Sequence, residues 1–194
     1  IATRDRHLDF MLGVMEYSPT RMFGTEDIEL LNQIESEHDN LRIALEWATE
    51  NHPATALKLA YSAGGFWTIR DYNAEAQFWC STILGKTEAM SELEEDRGRL
   101  YGLLGWLMMT LGEHKKGRAA SEQAITLAEK SNDFYTMSRA YATAGLASCF
   151  LGDFPAAFPA IEKAESIARE HDLAAELAFI LGSRAQLEFI GVLC

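Results

Sequence analysis

"YGLLGWLMMTLGEHKKGRAASEQAITLAEK", residues 101 to 130, lies over "YATAGLASCFLGDFPAAFPAIEKAESIARE", residues 141 to 170, at an offset of 40. Tyr101 and Tyr141 coincide, as do Gly105 and Gly145, Leu111-Gly112 and Leu151-Gly152, Ala120 and Ala160, Glu122 and Glu162, Ala124 and Ala164, and Ala128 and Ala168. The small residues recur where two antiparallel helices must approach closely, and Leu-Gly recurs where a first helix ends and the chain turns back. The unit is a helical hairpin, and it is repeated. Such hairpins cannot bury their apolar face alone and must stack.

Working outward, a weaker copy precedes at "AGGFWTIRDYNAEAQFWCSTILGK", residues 63 to 86, where Ile69-Arg70 takes the Leu-Gly place and Tyr72 and Trp79 fill the inner face of the second helix. A half copy follows at 173 to 194. Helical signals run end to end, near 2–17, 25–50, 53–70, 73–85, 90–111, 114–131, 133–151, 154–171 and 173–191. Thr25 can cap a first turn that holds Glu26 and Asp27, Pro53 suits a first helical turn, and Asn132-Asp133 and His171-Asp172 separate helix pairs. Strand signals are nearly absent, because no window alternates apolar and polar residues over a useful length.

Upstream, "LLNQIESEHDNLRIALEWATEN", residues 30 to 51, is dense in acids around Glu37-His38-Asp39-Asn40 and so invites a metal or acid/base reading. The spacing answers it. Leu31, Ile34, Leu41, Leu45 and Ala48 recur at three- and four-residue steps, the stripe of a helix lying on a core. His38 falls inside that stripe, and Glu37 and Asp39 are turned roughly 100 degrees to either side, so the three cannot converge on one ion. His38 is expected to be a hydrogen-bonded core residue.

The chain has 194 residues, 48% hydrophobic and 24% charged, with four prolines, and is long enough to bury a sizeable core. No apolar run of 18 or more residues and no basic-then-apolar leader is present in it, which gives a cytoplasmic expectation with no membrane partner. A net charge of -12 argues against direct nucleic-acid binding, whose affinity comes from Lys and Arg on phosphates. Cys80, Cys149 and Cys194 are far apart without a CxxC, which suits buried thiols in a reducing compartment. Starting at Ile1 and stopping inside "EFIGVLC", the chain reads as a piece of a longer protein.

The Gly/Ala, Leu-Gly, Ala, Ala pattern resembles the tetratricopeptide repeat, with a 40-residue period in place of the usual 34. The expected fold is therefore all-α: a right-handed α-α superhelix of TPR-like antiparallel helix pairs, about nine helices in all. An N-terminal helical segment, 1–52, is expected to link to upstream domains, followed by repeats at 53–88, 90–131, 133–171 and, in part, 173–194. More specifically, "FGTEDIELLNQIESEHDNLRIALEWATEN" and then "ALKLAYSAGGFWTIRDYNAEAQFW" are similar to the start of the helical-repeat region in bacterial STAND-class signal-transduction ATPases. Members of that family carry a LuxR-type DNA-binding domain, a related activator domain or a nucleotide cyclase domain elsewhere. No GxxxxGK[ST] loop occurs here, so the resemblance implies the sensor and scaffold portion of a regulator.

If Gly105 and Gly145 take the eighth position of their repeats, Trp67, Arg99, Trp106, Met109, Arg139, Leu146 and Phe150 face the concave side, where repeat proteins bind partners. Arg99 and Arg139 lie 40 residues apart and could hold a carboxylate or phosphate, or each could pair with an acid such as Glu95 or Glu176. "EAMSELEEDRGR", residues 88 to 99, lacks calcium-loop spacing and reads as an acidic helix start. The reading is a non-catalytic interaction and sensing module without catalytic residues, metal or cofactor, whose partner is a protein or peptide, another domain of the same chain, or a small effector. The alternative is a helical enzyme, which would need ionisable groups converging in a closed pocket.

Overall fold

The structure, a computed structural model, describes residues 2–16 and 27–193. The cap expected at Thr25 lies outside them. Helices occupy Ala2–Glu16 (α1), Asp27–Ser36 (α2), His38–Asn51 (α3), Pro53–Ile69 (α4), Asn73–Thr87 (α5), Glu94–Thr110 (α6), His114–Ser131 (α7), Phe134–Phe150 (α8), Phe154–Glu170 (α9) and Ala174–Leu193 (α10), with a 3₁₀ turn at Ser91–Leu93. The fold is an all-α, TPR-like helical repeat, and no strand occurs among the described residues.

Among the described residues there are ten helices where the periodicity suggested about nine, and the difference is one residue. The helix expected over 25–50 is interrupted at Glu37, whose amide donates to the Ile34 carbonyl at 3.0 Å, three residues back, with φ -98° and ψ 6°. This tightening leaves the apolar stripe in phase, since Ile34, Leu41 and Leu45 are all fully buried. A periodicity reading cannot detect such a break.

The chain forms two compact units, residues 1–96 and 97–194. In the first, α1 packs on α3 and α4, and α4 packs on α3 and α5. Met11, Met15, Ile34, Leu41, Leu45, Leu57, Phe66 and Trp67 are fully buried there. The inner face of α5 is made by Ala76, Cys80 and Ile83, whereas Trp79 is half-buried and Tyr72 precedes the helix. That corrects the sequence expectation: at close range a small residue fits where an indole does not.

His38 is buried at the start of α3 with its ring edge-on to Phe66 at 5.1 Å, and its Nε2 lies 3.1 Å from Glu75 Oε1. Glu75 also accepts from Arg42 Nε at 2.9 Å and Nη2 at 2.6 Å. Burial alone would raise the Glu75 carboxyl, but these hydrogen bonds and the neighbouring charges hold it below the usual carboxylate range. His38 thus ties α3 to α5 as a core residue with a carboxylate partner.

In the second unit, α8 packs on α7 and α9, and α10 packs on α8 and α9. The repeat shows in its turns. The Glu113 amide donates to the Met108 carbonyl at 2.8 Å and the Asp153 amide to the Ser148 carbonyl at 2.9 Å, with Gly112 at φ 77° and Gly152 at φ 76° between them. A left-handed residue closing a helix in this way is most easily a glycine. In the weaker copy the same bond runs from Tyr72 to Trp67, and the left-handed residue is Asp71 at φ 62°. Arg70-Asp71, one residue later than expected, therefore takes the Leu-Gly place.

The glycines between helices of a pair are spatially required. A Cβ on Gly105 would lie 2.4 Å from Ser121 Oγ and 3.1 Å from the Gly117 carbonyl, and one on Gly145 would lie 2.9 Å from Ile161 Cγ1 and 3.0 Å from the Ala157 carbonyl. Helix pairs meet there almost backbone to backbone.

Candidate functional site

The first helices of successive pairs in the second unit, α6, α8 and α10, share an open groove of about 640 Å³. Trp106 and Met109 enter it from α6, Leu146 and Phe150 from α8, and Phe179 from α10, with His114 at the turn into α7. The helical step puts each contribution on one face: Trp106 and Met109 are three residues apart, Leu146 and Phe150 four. Trp106 meets Phe179 edge-on, with ring centroids 5.5 Å apart and planes at 76°. His114 stacks on Phe150 at 4.8 Å and 12°. The floor is continuous with the core built on Ala142, Ile161, Ile180 and Leu187, which holds the aromatic rings in place from below.

Four of the seven residues expected on the binding face, Trp106, Met109, Leu146 and Phe150, are brought together in this groove. Arg139 stands beside it, with its guanidinium carbon 4.7 Å from the Phe179 ring centroid and its Nη1 donating to Glu176 Oε1 at 2.8 Å. Glu176 is the partner already weighed for it from the sequence, and it is only 3% exposed. Arg99 donates through Nε to Asp133 Oδ2 at 2.8 Å, and Asp133 also caps α8 by accepting from the Thr136 amide at 3.0 Å. Arg118 reaches Asp153 at 3.0 Å. Arg99 and Arg139 are inter-pair ties, each binding an acid at the start of the next pair, whereas Arg118 of α7 binds the acid at the turn between α8 and α9. Trp67 belongs to the first unit, in α4, and is wholly buried.

Phe179 and His114 are among the groove residues that were not foreseen. Phe179 had a signal, since it falls 40 residues after Arg139 and so occupies the position of Arg99 and Arg139 in the half copy. His114 had none, because it opens the second helix of its pair, outside the first-helix positions read as facing the concave side.

Chemically the groove is an aromatic and aliphatic trough with a few polar groups along its wall, Thr110, Ser183 and Gln186 among them. Thr110 and Ser183 donate to the carbonyls of Leu107 and Phe179 within their own helices. Such a surface recognises apolar side chains by burial and shape. Among the described residues no group of three or more His, Cys, Asp or Glu could hold a metal ion, and no helix is long and apolar enough to cross a membrane. Cys80 and Cys149 are buried, and burial pushes the Cys80 thiol up, away from reactivity.

No protein-family model matches the chain. Provisionally named HTH-type transcriptional regulators of Mycobacterium tuberculosis and Mycobacterium bovis are each 29% identical to it over 150 residues, which is 74% of this chain and 17% of theirs. The chain thus spans less than a fifth of the length of these relatives. The crystal structure of a Rap protein complexed with competence and sporulation factor superposes on 92% of this chain and 54% of that one, with a TM-score of 0.63 at 15% identity. The shared feature is the fold, a stack of antiparallel helix pairs.

Proposed function

We propose that this chain is a non-catalytic interaction and sensing module of a multidomain transcriptional or signalling regulator, and that the groove between α6, α8 and α10 receives its partner. The single observation behind this reading is the convergence of Trp106, Met109, Leu146, Phe150 and Phe179 on one open face. A large apolar surface left open by a charged, acidic chain is where a partner gains most from burial. The partner is a protein or peptide segment presenting apolar side chains, from another molecule or another domain of the same chain.

The similarity to HTH-type regulators supports a parent that controls transcription, and the STAND-class and LuxR-type architecture suggested by residues 23–51 and 56–79 is the finer form of the same proposal. In that form the repeats run over 53–88, 90–131, 133–171 and 173–194 after a linking segment, 1–52, and the setting is the cytoplasm. The Rap structure, itself a complex with competence and sporulation factor, supports a binding role for the fold.

Site-specific photocrosslinking tests it. A benzophenone side chain at Met109 or Phe150 of the full-length regulator should trap a discrete species in the native cell, and Trp106→Ala should remove that species. The same probe at Lys163, on an exposed part of α9, should not trap it. Indistinguishable products from the groove and from Lys163 would overturn the proposal.

A further inference from the structure

Two ion pairs fix the course of α3 against α5 within the first unit. Arg42 donates from Nε and Nη2 to the two carboxylate oxygens of Glu75 at 2.9 and 2.6 Å, and further along both helices Lys86 binds Glu50. Because Arg42 meets Glu75 and Glu50 meets Lys86, α3 and α5 run side by side in the same direction. α3 turns Leu41, Leu45 and Ala48 to the core, and α5 turns Ala76, Cys80 and Ile83.

The opposite sides of the two helices carry Ile43, 52% exposed, and Phe78, 61% exposed. Counted from the Arg42–Glu75 tie they stand one and three residues along, so their heights differ by on the order of 3 Å at 1.5 Å per residue. Phe78 meets the half-buried Trp79 edge-on, with ring centroids 5.3 Å apart and planes at 71°. Trp79 follows Glu75 by four residues and so lies on the flank of α5 that faces α3. A single exposed apolar side chain is ordinary, but two at one height on neighbouring helices, backed by an indole, make a face.

The frame of that face is acidic. Asp39, Glu46 and Glu50 are exposed on α3, with Glu46 between the two ties. Residues 1–96 hold 18 Asp and Glu against 7 Lys and Arg, a net charge of -11, whereas residues 97–194 hold 11 against 10, a net charge of -1. Nearly all of the charge of the chain thus belongs to the unit that carries Ile43 and Phe78.

We infer that the α3–α5 face docks a basic amphipathic helix of a separate protein, with aliphatic side chains on Ile43 and Phe78 and Lys or Arg against Asp39, Glu46 and Glu50. Charge selects this occupant. A second copy would bring a further -12 onto an acidic face, and residues 97–194, near neutrality, have no surplus of cations to offer it. Two parallel helices leave a groove that a third helix fills, with its apolar side chains as anchors. The seam between the ties is on the order of 12 Å long, about two turns of helix, so the docking is weak and reversible rather than a permanent interface. This face is distinct from the groove of the second unit and does not depend on what that groove receives.

Fluorescence anisotropy of the full chain with a labelled helical peptide tests the inference. The probe is about 14 residues, four turns, with leucines on one face and lysines on the other, and its counterpart carries glutamate for lysine. The lysine peptide should bind and the glutamate peptide should not, and added salt should weaken the binding without abolishing it. Phe78→Ala and Ile43→Ala should each weaken it about tenfold. Glu46→Lys should do the same, whereas Glu162→Lys, an equal charge change on an exposed part of α9, should leave it nearly unchanged. Equal losses in the two lysine variants would reduce the effect to bulk charge, and full binding by both alanine variants would leave the apolar face without a role. Either result overturns the inference, as does failure of the lysine peptide to bind. Circular dichroism checks that each variant is folded; if Phe78→Ala is not, Ile43→Ala and Glu46→Lys decide.

Discussion

The Trp106 indole stands edge-on to the Phe179 ring at 5.5 Å and 76°, and the Arg139 guanidinium lies 4.7 Å from the centre of the same phenyl ring. Phe179 is therefore the residue through which the aromatic floor of the groove is joined to an inter-pair ion pair. Edge-to-face pairs contribute about 0.5 to 1.5 kcal/mol beyond burial. A double-mutant cycle of Trp106→Ala and Phe179→Leu, followed by urea unfolding, should return a coupling of that size. A coupling near zero would mean that the rings are not held together in solution.

Arg139→Ala should destabilise the second unit by about 1 to 3 kcal/mol, since it leaves the buried Glu176 carboxylate without its cation. Arg139→Ala combined with Glu176→Gln should recover part of the loss. The midpoint of chemical denaturation reads both effects, and equal costs for the single and double variants would show the pair to be dispensable.

Gly145→Ala forces a methyl group to within 3.0 Å of the Ala157 carbonyl and 2.9 Å of Ile161, so α8 and α9 must separate. The expected cost is about 1 to 3 kcal/mol. Gly85→Ala, inside α5 with nothing within 4 Å of the new methyl, should instead stabilise by about 0.5 to 1 kcal/mol through helix propensity. Opposite signs in a thermal melt distinguish close packing from a general intolerance of substitution.

Glu75 has a folded-state pKa below its ordinary 4.5, so its stabilising contribution is complete above that value and lost as pH falls through the depressed folded one. Glu75→Gln should lower stability at pH 7 and flatten the acid limb of the stability profile. His38→Ala should also lower the melting temperature, without altering metal content. A steeper acid limb in Glu75→Gln would contradict the assigned sign.

Local and periodic features were legible in the sequence. The 40-residue repeat, the helix stripes, the packing glycines Gly105 and Gly145 and the Leu-Gly turns all depend on neighbours within a hairpin, and residue spacing encodes these directly. The sequence also weighed Arg139 against Glu176, because repeat position and charge are enough to suggest a pair. Tertiary structure decided the rest. The break at Glu37 depends on a single hydrogen bond, and only three-dimensional packing separates Trp67, closed into the first unit, from Trp106, left open in a groove. Spacing states which face of a helix is apolar, whereas burial depends on which other helices arrive at that face, and those lie tens of residues away.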